Sequence, residues 1–400
     1  MKKVLLLLLV LSACAKESSV GPAKPTTFVR YFNGGNSDVA QSILETAEKD
    51  LILLATTEVI LDPTTTYFKI KLIKTDAYGN LVWQKLYPDF ATDGPVLGPK
   101  VSYKGKGITA VPGGGYVIVG DDIQNGSSKL LILSIDKDGK VLNQKSYKKR
   151  KGSAVGVNKA GNFVVLASVP GASNYNMSLA EFNKTTLDSI WGRNYGAGEV
   201  INLSNKLSID DVDNVSWSGS VKKDNQPVLS RVVKTPPNSQ STIYDQSISS
   251  TVAETNNDFV ILGGGTFATI GAIDSVGSSY ISFRKMVGAT PLFQKNYPIK
   301  DQDGSANGNS LCVAKDGGLV LLGTSKLSGT AGRGETDYCL IKIDGLGNPV
   351  WTKTYGSKFE DVGASIITTS DGGHVVLGTT NLANIKSLLL MKVDKNGIIE

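Results

Sequence analysis

The sequence predicts an all-β fold, a seven-bladed β-propeller whose last blade is closed by a strand from the amino-terminal side, residues 28–32. Three observations carry this reading. Aromatic residues that end a four-strand unit recur at Phe32, Tyr87, Tyr147, Tyr195, Tyr244, Tyr297 and Tyr355, with gaps of 48–60 residues, which is the length of a propeller blade. The legible copies carry hairpin turns such as Asp371-Gly372-Gly373 and Asp394-Lys395-Asn396-Gly397 between β-branched, alternating runs. The last copy, residues 366–399, repeats residues 311–349 but stops before the strand that continues as Val350-Trp351-Thr352-Lys353-Thr354-Tyr355. Phe28–Phe32 supplies that strand. Its register is supported by Asp38-Val39-Ala40-Gln41-Ser42-Ile43, which follows Phe32 just as Asp361-Val362-Gly363-Ala364-Ser365-Ile366 follows Tyr355.

The elements can be justified in chain order. Residues 1–13 read as an export signal, with Lys2-Lys3, an apolar run from Val4 to Leu11, then Ser12-Ala13 before Cys14. The run is too short for a transmembrane helix, which needs about 20 apolar residues. Leu11-Ser12-Ala13-Cys14 resembles the lipobox of bacterial lipoproteins, which implies lipidation of Cys14 and a membrane-anchored mature chain. Ala15, standing where Asp would favour the inner membrane, implies the outer membrane. Lys16-Glu17 partially resembles a surface-export signal of Bacteroidetes lipoproteins. Residues 14–25 hold the lipidated Cys and a polar, Pro- and Gly-containing tether whose eleven residues after Cys14 reach roughly 35–40 Å when extended.

The propeller occupies residues 26–400. The first copy shows Leu51–Leu54, Ile70–Asp76, Gly79-Asn80 and Trp83–Tyr87. The second runs from Ile108 to Tyr147, and the third from Asn158 to Tyr195. The fourth, from Ile201 to about Tyr244, is the most degraded and is recognised by its length and by the alternation of Asn214–Gly219. The fifth holds Phe259–Gly263 and Phe293–Tyr297. Trp351, Lys353 and Tyr355 lie two apart and so share one strand face, where the rings pack on a neighbouring blade. Residues 28–400 resemble the propeller-repeat lipoproteins of Bacteroidetes envelopes, through repeats of the form T-x-D-G-G-x-V-x-L-G followed by L-I-K-x-D-x-x-G-N-x-x-W-x-K-T-Y-G. The resemblance implies fold and location and names no chemistry.

Composition agrees with this reading. Four hundred residues exceed what one hydrophobic core supports, a limit repeats avoid because each unit packs on its neighbours. A hydrophobic content of 40% supports folding, and 44 Gly beside 4 Met point to turns rather than long helices. The formal charge of +6 falls to +4 without Lys2 and Lys3, and no nucleic-acid partner is expected.

The chemistry-bearing residues are few. His374 is the one histidine, follows a turn, and is read as a strand residue rather than a base or ligand. Cys312 and Cys339 fall on the first and third strands of one blade, about 9–10 Å apart at the usual strand spacing, so two buried thiols are expected rather than a disulfide. Asp136-Lys137-Asp138-Gly139 and Asp301-Gln302-Asp303-Gly304 have calcium-loop character but lack a distal Glu, and turn formation explains them. Asp76 to Trp83 approaches a sialidase Asp-box with altered spacing. Gly263-Gly264-Gly265 lacks the Lys and Ser/Thr of a phosphate loop. Lys148-Lys149-Arg150-Lys151 is the one charge cluster, placed between two blades, either a solvated rim loop or a contact for phosphates or an acidic partner.

The expected function is a non-catalytic, lipid-anchored scaffold, monomeric, cofactor-free and without a metal site, holding a protein or glycan partner. The alternative is an envelope polysaccharide hydrolase or lyase acting at the central channel. Four insertions, Asp89–Gly105, Ser168–Asn176, Thr266–Ser279 and Ser325–Asp337, are expected to crowd one face and form the binding surface.

Overall fold

The computed structural model describes residues 26–62, 65–88, 101–170, 175–196, 199–223, 227–248, 252–275, 277–288, 290–298, 305–326, 335–382 and 384–399. The export signal, Cys14 and residues 15–25 lie outside them. The described strands form seven four-stranded antiparallel sheets arranged as a ring, a seven-bladed β-propeller. Blade 1 is β2 (Ser37–Glu45), β3 (Leu51–Asp62), β4 (Thr65–Thr75) and β5 (Leu81–Tyr87). Blade 2 is β6 (Val101–Ala110), β7 (Tyr116–Gln124), β8 (Ser127–Ile135) and β9 (Val141–Tyr147). Blade 3 is β10 (Lys151–Val157), β11 (Phe163–Pro170), β12 (Tyr175–Phe182) and β13 (Ser189–Tyr195). Blade 4 is β14 (Glu199–Ile209), β15 (Val215–Lys222), β16 (Leu229–Thr235) and β17 (Tyr244–Ile248). Blade 5 is β18 (Asp258–Gly263), β19 (Thr266–Ser275), β20 (Ser278–Val287) and β21 (Thr290–Tyr297). Blade 6 is β22 (Ser305–Val313), β23 (Leu319–Lys326), β24 (Asp337–Ile343) and β25 (Pro349–Tyr355). Blade 7 joins β26 (Asp361–Thr368), β27 (His374–Leu382) and β28 (Ile385–Val393) to β1 (Phe28–Phe32).

The closing strand is where the sequence put it. β1 pairs antiparallel with β28, from Phe28 opposite Lys392 to Phe32 opposite Leu388. The ring junction is reinforced by Ala40 N–H donating to Thr379 Oγ1 and by the Ser370 N–H and hydroxyl donating to the Glu45 carboxylate.

Strand composition follows position in the blade. The two middle strands are covered by neighbouring blades on both faces, so they read as continuous apolar runs; all seven residues of β24 are buried. The outer strands are largely open to solvent, with Leu81, Val82, Lys85 and their counterparts exposed. On one face, hairpins such as Asp76–Asn80, Asp136–Lys140, Asp344–Asn348 and Asp394–Ile398 close with the same pair of backbone bonds. The fourth residue of each is left-handed, at Gly79, Gly139, Gly347 and Gly397, which is why the spacing is Asp-x-x-Gly.

The outer-strand residues that recur from repeat to repeat hold one blade to the next. A side chain on Gly397 would strike Trp351 and Lys353, and one on Gly139 would strike Lys85 and Tyr87, so each outer strand lies directly on the next blade's turn. Tyr87 donates its hydroxyl to Gly139 O at 2.6 Å, Tyr297 to Gly347 O at 2.8 Å and Tyr195 to Ser239 O at 2.5 Å; Tyr147 and Tyr355 bond Leu187 O and Gly397 O in the same way.

Two expectations need correction. Tyr244 opens β17 opposite Lys234, as Trp83 lies opposite Lys74, so it holds the Trp position and Ile248 ends the strand. Thr266–Ser279 is not a connection: Thr266–Ser275 is strand β19, paired with β20 from Ser278, and Gly264-Gly265 is the turn between β18 and β19. Its small residues suggested a loop, but at Gly271 the small size is required by packing, since a side chain there would sit 1.9 Å from Thr255 O. The ends of the other three insertions are also strand: Val101–Gly105 belongs to β6, Ser168–Pro170 to β11, and Ser325 and Lys326 to β23. Residues 89–100, 171–174 and 327–334 lie outside the described residues.

Candidate functional site

Alternating strand direction gives the ring two unlike faces. The tight hairpins between first and second, and third and fourth, strands lie on one. The connections between second and third strands, and between blades, leave from the other. The innermost strands β2, β6, β10, β14, β18, β22 and β26 contact one another around the central channel.

On the connection-bearing face the channel opens into a cavity of about 570 Å³. It is built largely from β-bulges. Pairing of the inner strands skips one residue between Ala40 and Ser42, Gly105 and Gly107, Gly152 and Ala154, and Gly308 and Ser310. The skipped residues, Gln41, Lys106, Ser153 and Asn309, line the cavity, because a bulge re-aims one side chain out of the sheet. The glycine before three of them lets blades approach closely: a side chain on Gly105, Gly152 or Gly308 would run into Leu54, Leu130 or Ile270. Asp121, Lys151, Ser168, Asn202, Asn257 and Asn307 complete the polar lining.

The amides form an ordered row across three blades. Asn202 Nδ2 donates to Asn257 Oδ1 at 3.0 Å, and Asn257 Nδ2 donates to Asn307 Oδ1 at 2.9 Å and to Gly308 O at 2.8 Å. Asp121 Oδ1 is buried with no hydrogen-bond partner. Burial pushes the Asp121 carboxyl up from its ordinary range, with Lys106, the nearby Ser128 hydroxyl, Lys151 and Lys104 pulling against that. Elsewhere along the inner strands Lys206 Nζ meets Asp258 Oδ2 at 2.6 Å and Ser310 Oγ at 3.1 Å, and the serine donates to the same carboxylate oxygen at 2.6 Å. That cluster ties blades 4, 5 and 6 together.

The residues singled out from sequence are scattered. His374 is buried at the start of β27, with Nδ1 3.1 Å from Thr368 Oγ1; burial first, then Lys342, push its imidazole down to about 4. Cys312 and Cys339 are free and buried, and burial raises their thiols to about 11 and about 12. These are poor nucleophiles. Asp136 Oδ1 accepts the Asp138 and Lys140 N–H groups, and Asp76 Oδ1 caps its own turn in the same way. Asp301–Gly304 lies outside the described residues. Among the described residues no group of three His, Cys, Asp or Glu side chains is placed to hold a metal ion.

The basic cluster divides. Lys148 and Lys149 are exposed in the turn after β9, and Arg150 lies over Gly192, while Lys151 opens β10 and joins Lys106 at the channel mouth. Sequence reasoning missed the channel residues. The available signal was the small residue followed by one variable residue before Ser or Gly, as in Ala40-Gln41-Ser42, Gly105-Lys106-Gly107 and Gly308-Asn309-Ser310.

No family model matches the sequence, and no curated protein sequence matches it. Among solved structures the ring is similar to a Mycobacterium tuberculosis puromycin-hydrolyzing peptidase, with a TM-score of 0.53 and 11% identity over 90% of this chain and 52% of that one. It is also similar to a puromycin hydrolase, with a TM-score of 0.52 and 10% identity over 89% of this chain and 52% of the other. The chain spans about half the length of both. The C-terminal WD40 domain of Sif2 aligns over 92% of this chain and 99% of its own, at a TM-score of 0.48 and 11% identity. At these identities the likeness is one of fold.

Proposed function

We propose that this protein is an outer-membrane lipoprotein, anchored through Cys14, whose ring is a non-catalytic scaffold for a protein or glycan partner. One observation carries the reading: the channel cavity and the blade connections open on one face, while the chain enters the ring from the other. β1 runs as an outermost strand, so Phe28 lies at its tight-turn end, and Thr26 sits beside Asp371, Gly373 and Asp394 on that face. A tether of roughly 35–40 Å attached there leaves the connection-bearing face turned away from the lipid.

A second reading, an envelope polysaccharide hydrolase or lyase, is favoured by Asp121, a partly buried carboxyl in the channel mouth whose raised affinity for a proton suits a general acid. Paired-carboxylate hydrolysis needs a second carboxylate about 5–10 Å away, and Asp121 is the one carboxylate among the described lining residues. Pull-down of the lipidated protein from native membranes tests the first reading: a recovered glycan or protein partner supports it, and consumption of a recovered polysaccharide overturns it. Metabolic labelling with palmitate tests the anchor, and Cys14→Ser abolishes the label.

A further inference from the structure

The channel mouth presents hydrogen-bond donors whose direction is fixed by backbone groups. Gly308 O can only accept, so the Asn257 amide must turn its Nδ2 toward it. That places Asn257 Oδ1 toward Asn202 Nδ2 and makes Asn307 offer its oxygen to Asn257. The row therefore ends in the Asn307 NH₂ on blade 6 and in the Asn202 amide oxygen on blade 4. Asn309 is oriented by the same logic. Gly363 N–H donates to Thr324 Oγ1 at 3.0 Å, so the Thr324 hydroxyl spends its proton on Asn309 Oδ1, at 2.9 Å, and leaves Asn309 Nδ2 outward. Two ammonium groups, Lys106 and Lys151, share the cavity with one carboxylate, Asp121.

We infer that the channel mouth is a binding site for an acidic oligosaccharide, its carboxylate or sulfate meeting Lys106 and Lys151 and its hydroxyls meeting the Asn307 and Asn309 amides. The inference rests on the scaffold reading and names the class of its ligand. Charge-assisted bonds from ammonium groups to an anion are about twice as strong as neutral ones, which makes the lysines the source of selectivity. The volume of about 570 Å³ falls in the usual range for small-ligand sites and accommodates a short saccharide rather than a folded domain. The lining has no aromatic residue and few apolar ones, so it lacks the anchor pockets that a peptide ligand uses.

Calorimetric titration of the full chain tests this with a panel of uronate-containing, sialylated and sulfated oligosaccharides, each beside its carboxyl-reduced or desulfated counterpart. The expected result is binding of at least one acidic member, tenfold or more tighter than its neutral counterpart and weakened by salt. Lys106→Met is expected to lose that preference, and Asn307→Asp, which replaces a donor with a negative charge, to lose binding. Both positions face the cavity, and an unchanged melting temperature verifies folding. Equal affinity for acidic and neutral members, no binding across the panel, preference for an acidic peptide, or an unaffected Lys106→Met variant overturns the site. A protein partner pulled down equally by wild type and Lys106→Met, with no panel member bound, overturns the site and leaves the scaffold reading intact. Cleavage of a bound member upholds the site and overturns the non-catalytic reading.

Discussion

Blades 6 and 7 and blades 4 and 5 share one topology but are held by different chemistry. At the junction of blades 6 and 7 the repeat residues perform their full set of contacts. Tyr355 donates to Gly397 O, Trp351 lies on Gly397, and Lys342 and Lys392 reach the aspartates of their own blades' first turns, Asp316 at 2.5 Å and Asp371 at 2.6 Å. Thr368 links His374 of blade 7 to Cys312 of blade 6. Between blades 4 and 5 the strand-ending residue is Ile248, which has no hydroxyl to donate, and each of the two blades carries a buried arginine paired with a carboxylate. Arg231 grips Asp245 through Nε and Nη2 at 2.8 and 2.6 Å, and Arg284 meets Glu254 at 2.6 Å with both side chains under 10% exposed. Ion pairs on buried cations occur in both arcs, and Lys71–Asp38 of blade 1 is the driest of them, so what sets the blade 4–5 junction apart is the missing tyrosine bond and the use of arginine. A buried ion pair is fragile, because losing one partner leaves the other charged and dry.

The largest expected effect breaks the regular arc. Deleting Thr26–Gly34 removes β1, exposes the edge of β28 and uncovers the turn on which Phe28 rests. Losing the Phe28 contact alone costs about 3–5 kcal/mol, so thermal unfolding should begin far below that of the full chain; an unchanged melting curve would remove β1 from the closure.

Glu254→Gln probes the irregular arc. It strands Arg284, whose Nε already lacks a partner, and should destabilise by about 3–5 kcal/mol in urea titration. A loss below about 1 kcal/mol, the scale of surface pairs, would mean that this pair is solvated in practice.

The pH dependence distinguishes the two arcs. His374 is neutral in the folded state, with its pKa lowered to about 4 against about 6.5 when unfolded, so the unfolded chain binds the proton first as pH falls. Its contribution is full above about pH 6.5 and is lost progressively as pH drops toward 4, by roughly 3 kcal/mol at about 1.36 kcal/mol per pH unit. Subtracting the stability–pH curve of His374→Asn from that of wild type should isolate this slope, and a flat difference curve would show that the imidazole is hydrated.

The smallest effect refines the comparison. Tyr297→Phe and Tyr355→Phe each remove one bond to the next blade's turn and should cost about 1 kcal/mol, the net worth of one such hydrogen bond. Losses of that size in chemical denaturation at both sites, with no change in the slope against denaturant, would show that the pins act one by one.

The sequence by itself determined the number of blades, the closing strand and the turn chemistry. Each is written in contiguous residues: Asp-x-x-Gly sets a left-handed fourth position, and the shared D-V-x-x-S-I segments set the register of closure. It also indicated that His374, Cys312 and Cys339 belong to packing. It misplaced Tyr244 and Thr266–Ser279 where the repeat had drifted, because an aromatic four residues early and a run of small residues look locally like a strand end and a loop. The candidate site was decided by tertiary structure. Gln41, Lys106, Asn257 and Asn309 come from four different blades, three of them delivered by an inner strand and Asn257 by the residue just before β18, and no stretch of sequence brings two of them together. The polarity of the Asn202–Asn257–Asn307 row is set by the carbonyl of Gly308, and ring closure alone brings these groups to one channel.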